Sequence, residues 1–357
     1  MSPRVSVLIP YYNDERFLRE SIESVLAQTF ADFELVLVNH ASTDGSREIA
    51  RSFDDPRIVH VDMPVNHGAG GGLVVAAFLE VARGEYAKFF CADDVMEKGC
   101  LSRLVGFMES RRDITMAFGD LAYVDVAGRP MGARWFSDRP HFSSAMSETD
   151  CLRQMSDGWS VLPWIGSIVR RAALDRVELD ATMVMMFDMS VWAQLLLRGG
   201  RMVFLETVVA FYRIHDGQVS AVSRSAEAVE LSNFERQVFF RCFQRCEDVG
   251  LVKRIFPDSR YVARVEAVSD IPLAVALRYV ADGADVTWAY QFVHDCLQEP
   301  EFRSRAECRF GVTVAVFRDL IRQRVDPPRK RSRWVGFRDK WLRRRKREDE
   351  ASSGFSL

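Results

Sequence analysis

Short apolar runs alternate with amphipathic stretches over the first third of the chain. The segments VSVLIPYY, ELVLV and AKFF are rich in β-branched or aromatic residues, the composition of strands buried on both faces. Between them, DERFLRESIESVLAQ carries Phe17, Leu18, Ile22, Val25 and Leu26 at helical spacing. GGLVVAAFLEVARG reads as an apolar helix that closes on Gly84 as its C-cap, and LSRLVGFMESRR as a further helix. This β-α-β-α-β order predicts an α/β fold with a mostly parallel sheet and flanking helices, in which ligands bind outside the carboxyl ends of the strands. The polar strand ends YYND, NHASTDGS and CADD then share one edge, and the adjacent carboxylates Asp93 and Asp94 lie on it.

Beyond residue 120 the pattern changes to a hairpin with its turn at Ala127 and Gly128, followed by a polar loop through Ser147. MFDMSVWAQLLLRGG reads as a helix with Val191, Leu195 and Leu196 on its apolar side and a glycine stop; the strand RMVFLETVVAFYRIH follows. From Ser225 to Ile321 the chain is helical in character and carries no motif with chemistry. The expected units are residues 1–224, a helical extension at 225–321 and a basic tail at 322–357.

Composition narrows the function. With 357 residues, 48% of them apolar, and a net charge of −2, the chain is globular and has no bulk affinity for nucleic acid. Seven cysteines in scattered positions give neither a disulfide framework nor a zinc module, which fits a reducing, cytoplasmic setting. The N-terminus runs straight into the first strand without a signal-peptide pattern, and no apolar segment is long enough to span a membrane. Charge is concentrated in the tail: residues 322–347 hold thirteen Lys or Arg against Asp326 and Asp339. Trp334, Phe337 and Trp341 would align on one face of a helix there. That pattern suits peripheral contact with the inner face of a membrane, and equally a solvated helix packed on the body of the protein.

Three stretches, in order, resemble the family 2 inverting glycosyltransferases of the GT-A fold. VSVLIPYYNDERFLRESIESVLAQTFADFELVLVNHASTDGS is similar to that family's first nucleotide-binding unit. GEYAKFFCADD resembles its metal-binding strand end, and FDMSVWAQLLLRGGRMVFLETVVAFYRIHDGQVS its catalytic helix and following strand. The resemblance implies a nucleotide-sugar donor, a glycan or lipid-linked glycan acceptor and a Mn2+ or Mg2+ ion that neutralises the departing diphosphate. It makes Asp94 the direct or water-mediated metal ligand, with Asp93 contacting the donor ribose or sugar and His215 approaching the metal or diphosphate, the other reading of His215 being a surface residue beside a glycine turn. Pro10, Tyr11, Asn13, Asn39 and His40 fall where relatives hold the nucleotide, although Asn13 and Asp14 are also plausible helix caps. Asp188 matches the base that deprotonates the acceptor hydroxyl, and a carboxylate there also suits the N-terminus of its own helix. Trp159 and Trp164 are candidates for stacking on an acceptor sugar, with core packing as the other reading.

The chain departs from the family pattern at several places. Asn39 and His40 stand for carboxylates, Ala41 for glycine, Cys91 for a third carboxylate, and Leu73 and Val74 for an Arg-Asn pair near the diphosphate. The run GAGGG offers backbone N–H groups to phosphate instead, or is a flexible loop. These departures motivate a second reading, a sugar-nucleotide-binding or scaffold protein with impaired turnover. A neutral His40 offers one ring acceptor, so the expectation is that uridine nucleotides bind weakly or that another base, such as guanine with its O6 facing a donating imidazole, is preferred. YYND, not a glycine-rich turn, follows the first strand, which argues against a dinucleotide oxidoreductase.

Overall fold

Strands β1 (Val5–Tyr11) and β2 (Phe33–Asn39) are buried along almost their whole length, as expected of parallel strands covered on both faces. The computed structural model describes residues 2–68, 71–136, 138, 142, 144–218, 226–282 and 286–325. Helix α1 (Leu18–Leu26) crosses between these strands and buries Leu18, Ile22 and Val25, each contributing about 1.5–3 kcal/mol by leaving water. The chain continues through α2 (Ser46–Arg51), β3 (Ile58–Asp62), α3 (Gly71–Val81) and β4 (Tyr86–Phe89). The sequence pattern had shown neither α2 nor β3. Helix α3 ends at Val81, three residues before Gly84, which has no left-handed φ. Glycine is required there because a Cβ would meet the backbone nitrogen of Ser6 at 2.5 Å.

After β5 (Val95–Met96) and α4 (Cys100–Ser110), the hairpin of β6 (Met116–Val124) and β7 (Pro130–Arg134) turns through Gly128, at φ +78°. Helix α5 (Glu148–Ser156) starts from a capping box between Ser147 and Asp150. Then come β8 (Ser167–Arg170), α6 (Arg171–Leu174), α7 (Phe187–Leu197) and β9 (Met202–Arg213). Among the described residues the nine strands form one sheet in the order β3-β2-β1-β4-β8-β6-β9-β5, with β7 on β6. Pairing is parallel from β3 to β4 and between β6 and β9, and antiparallel in the remaining pairs, so the sheet is mixed beyond β4.

The C-terminal helices are α8 (Ala226–Phe240), α9 (Val249–Ile255), α10 (Ile271–Asp282), α11 (Thr287–Gln298), α12 (Pro300–Arg305) and α13 (Val314–Val325). Their apolar residues, Phe239, Phe243, Ala274 and Tyr279 among them, join Phe89, Phe118 and Trp192 in one continuous core. Polar links tie them down as well: Tyr279 donates to the Ser156 carbonyl at 3.1 Å, and Arg278 pairs with Asp157 at 2.9 Å. No helix among the described residues is long and apolar enough to cross a membrane. The aromatic and basic residues of the tail from 326 onward lie outside the described residues.

Candidate active site

The parallel register fixes the site. Tyr11 at the end of β1 pairs with Asn39 at the end of β2, and Asn39 with Asp62 at the end of β3. Leu8 pairs with Phe89, and the Phe90 N–H donates to Leu8 before Cys91 leaves the sheet. Antiparallel pairing of Val95 with Phe211 sets the other wall, because that register continued by two residues places Asp93 across from Arg213. The polar ends of β1, β2 and β4 and the exit of β9 thus meet at one edge.

Asp94 is only 1% exposed. One of its oxygens accepts the Arg213 backbone N–H at 2.8 Å, and Oδ2 is buried with no partner. Burial and the neighbouring Asp93 push its pKa far above the usual carboxylate range, against the opposing Arg213 N–H. The ligand atoms of Cys91, Asp93 and Asp94 lie within 4.8 Å of one another. The Cys91 thiol is itself pushed up by burial and by Asp94, so it enters this group uncharged. An orphaned carboxylate oxygen beside a second carboxylate is a donor set suited to a hard divalent cation. His215 reaches the group through Asp93, its Nε2 lying 3.0 Å from the carboxylate, and packs its ring on Phe17 at 4.9 Å.

At the nucleotide edge the assignments separate. Pro10 lies within the β1–β2 ladder, but Tyr11 is 3% exposed and its ring belongs to the core. Burial and the nearby Asp62 raise the Tyr11 hydroxyl to about 12. Tyr12, one residue past the end of β1 and 43% exposed, is the aromatic presented outward. Asn13 takes a left-handed conformation, at φ 55°, and accepts the Thr43 N–H at 2.8 Å. Asn13 and Asp14 therefore brace the β2–α2 loop. Neither caps α1, whose N-cap, Phe17, makes no side-chain cap.

Asn39 donates to Asp62 at 3.0 Å and accepts from Ser42 at 2.9 Å. Although burial raises it, hydrogen bonds from Asn39, Arg47 and Arg51 hold Asp62 down at about 2. His40 is buried, and its Nε2 accepts the His67 backbone N–H at 3.0 Å. The ring acceptor is already used, which leaves the proton on Nδ1.

Asp188 is the second residue of α7 and half-buried, with Oδ1 2.7 Å from the Met189 N–H. The segment that delivers it packs on the start of α3: a Cβ on Gly71 would meet the Phe187 ring at 2.5 Å, and one on Gly72 would overlap the Asp180 carbonyl. Close packing against the entry to α7 therefore accounts for these two glycines. Val74 is buried in the core. Trp164 stacks on Phe89 at 4.0 Å and meets Phe187 and Trp192 edge-on or tilted. It links β4 to α7 as a core residue, with that ring face unavailable to a sugar. Trp159 is half-buried against the same core.

Two supports of the strand-end acids were not read from the sequence. Arg213, almost fully buried, donates to the Asp93 carbonyl at 2.9 Å, to Glu20 at 2.6 Å and to the Val126 carbonyl at 3.0 Å. Lys88 is also buried and donates to the carbonyls of Phe89 and Ile165. The only sequence signal for Arg213 was a cation two residues before His215.

Residues 6–177 match the glycosyl transferase family 2 profile. An uncharacterized glycosyltransferase of Nostoc sp. is 29% identical over 234 residues, covering 63% of this chain and 69% of that protein. The UDP-Glc:α-D-GlcNAc-diphosphoundecaprenol β-1,3-glucosyltransferase WfaP of Escherichia coli is 24% identical over 258 residues, covering 71% and 96%. Among solved structures, Staphylococcus aureus TarS 1–349 in complex with UDP-GlcNAc aligns over 90% of this chain and 91% of that one, with a TM-score of 0.50 and 18% identity. Fold and site together define a nucleotide-diphospho-sugar transferase architecture of the GT-A type with a C-terminal helical extension. The family 2 profile, the curated relatives and the shared fold support a family 2 glycosyltransferase.

Proposed function

We propose that this glycosyltransferase is metal-dependent and inverting, and that it moves a sugar from a nucleoside-diphosphate donor to a hydroxyl of a glycan or lipid-linked glycan. The observation that carries the reading is the buried, unpartnered Oδ2 of Asp94 beside Asp93 at the carboxyl end of β4. Leaving such an oxygen unsatisfied costs about 1–3 kcal/mol, which a bound cation offsets. Asp94 and Asp93 would hold Mn2+ or Mg2+, with His215 orienting Asp93. The ion supplies positive charge for the departing diphosphate.

Asp188 takes the proton from the acceptor hydroxyl as that oxygen attacks the anomeric carbon. A single in-line displacement of this kind inverts the configuration. Pro10, Asn13 and Asn39 line the donor edge, and Tyr12 replaces Tyr11 as its aromatic. The E. coli relative's description names a UDP-glucose donor and a diphosphoundecaprenol-linked acceptor, which favours a lipid-linked acceptor here. We assign the basic run 322–347 to the anionic membrane surface on which such an acceptor lies.

The test is release of nucleoside diphosphate from UDP-glucose, UDP-N-acetylglucosamine and GDP-mannose with Mn2+, with and without an undecaprenyl-diphosphate-linked sugar. Release stimulated by the acceptor supports the reading. Nucleotide binding without turnover of any donor favours the impaired protein.

A further inference from the structure

Glu235, on α8, is 0% exposed, and its carboxylate accepts three successive backbone N–H groups: Val184 at 2.7 Å, Met185 at 2.7 Å and Met186 at 2.8 Å. Those three residues lead directly into α7, whose second residue is Asp188. Met186 is the N-cap of α7 and makes no side-chain cap of its own, so the polar groups before the helix are satisfied from a distant part of the chain. On its other side the same segment is pressed against α3, where Gly71 and Gly72 leave room for Phe187 and the Asp180 carbonyl. The entry to α7 is therefore clamped between the nucleotide-binding half and the C-terminal helices.

We propose that Glu235 is a positioning residue for the transfer reaction: by gripping the Val184–Met186 amides it sets where Asp188 stands, and so makes the C-terminal helices part of the catalytic apparatus. The proposal rests on the reading of Asp188 as the base. A carboxylate suits this task because each of its charge-assisted hydrogen bonds is shorter and stronger than a neutral one. The arrangement also explains a fully buried carboxylate in a stretch that otherwise reads as an ordinary amphipathic helix. A glutamate that only stabilised the fold would not need to converge on the few amides preceding one half-buried aspartate.

The experiment compares wild type, Glu235→Gln, Glu235→Asp, Asp188→Asn and the Glu235→Gln/Asp188→Asn double variant, all in the full chain. Glutamine keeps the size but turns an N–H2 toward amides that need an acceptor; aspartate keeps the charge on a shorter arm. Calorimetry with UDP and Mn2+ reads nucleotide affinity, and turnover is measured on whichever of UDP-glucose, UDP-N-acetylglucosamine and GDP-mannose reacts fastest. Glu235→Gln is expected to lower turnover roughly 10- to 100-fold with nucleotide affinity within about twofold, Glu235→Asp to recover part of the loss, and the double variant to be no slower than Asp188→Asn alone.

Hydrogen exchange, which needs no substrate, should show the peptide covering residues 181–192 exchanging about tenfold faster or more in Glu235→Gln while peptides from β1 and β2 stay unchanged. Turnover within twofold of wild type in Glu235→Gln, with Asp188→Asn strongly impaired, overturns the proposal alone. Wild-type turnover by Asp188→Asn overturns the base assignment on which it rests. Faster exchange everywhere together with weakened nucleotide binding makes Glu235 a residue of the fold only, and also overturns the proposal.

Discussion

Arg213 donates its backbone N–H to one oxygen of Asp94 at 2.8 Å, while the second oxygen of that carboxylate is buried without a partner. The contact orients the carboxylate and leaves one oxygen for a cation. Because burial and Asp93 raise the Asp94 pKa, protons compete with a cation for this carboxylate. Mn2+ affinity is therefore expected to rise with pH. Asp94→Asn should weaken it about tenfold or more, since the amide offers no charge to a hard cation. Calorimetric Mn2+ titrations of both proteins at two pH values check this, and equal affinities would remove Asp94 from the metal site.

Asp188→Asn keeps the shape of the side chain and removes its basicity. Turnover should fall by roughly a hundred- to ten-thousand-fold, with nucleotide affinity nearly unchanged. Single-turnover kinetics beside UDP calorimetry separates the two effects. A loss confined to nucleotide affinity would place Asp188 in binding instead.

Asp14 gives a pH-dependent stability signature. Burial, with repulsion from Asp93 and Asp44, raises it to about 6 against the Tyr12 N–H that favours its charged form. A carboxylate raised in the folded state destabilises the protein as it ionises, so the penalty is absent below the unfolded value of about 3.8 and complete above about 6. Asp14→Asn lacks this penalty. Its stability relative to wild type should increase as pH goes from 4 to 7 in urea unfolding, and a difference independent of pH would contradict the assignment.

Ala41 occupies a left-handed conformation, at φ 59°, in the turn that follows His40. Its Cβ is strained there, whereas glycine adopts that geometry freely. Ala41→Gly should stabilise the protein by up to about 1 kcal/mol, with the gain reduced by the larger entropy of unfolded glycine. Thermal unfolding measures it. A lower melting temperature would show that the Ala41 methyl group is needed for packing.

What the sequence revealed depended on how strongly each element is buried. The runs that became β1, β2 and β4 are predominantly apolar, and the Asp93–Asp94 pair and Asp188 stood out against them. Strand β3, by contrast, is an edge strand with half-buried residues and an exposed Asp62, and α2 has only six residues, so neither produced a pattern. Tyr11 and Tyr12 are adjacent, and only the point at which β1 ends decides which one is outward. The use of the His40 ring by a backbone N–H of His67, and of Glu235 by three amides about fifty residues earlier, arises from long-range contacts that no local spacing encodes. The GAGGG run read equally as a donor of backbone N–H groups to phosphate or as a flexible loop; the close packing of Gly71 on Phe187 and of Gly72 on the Asp180 carbonyl is a long-range contact that the run itself did not signal.

The most direct test of the account is donor turnover with and without the cation. Purified protein is stripped with EDTA, and release of nucleoside diphosphate from the best nucleotide-sugar is followed before and after excess Mn2+ is restored, with folding monitored by circular dichroism. The account predicts negligible release in EDTA and full recovery on adding Mn2+, with no recovery in Asp94→Asn. Undiminished release by the folded, EDTA-treated enzyme would contradict a metal-dependent transfer at the end of β4.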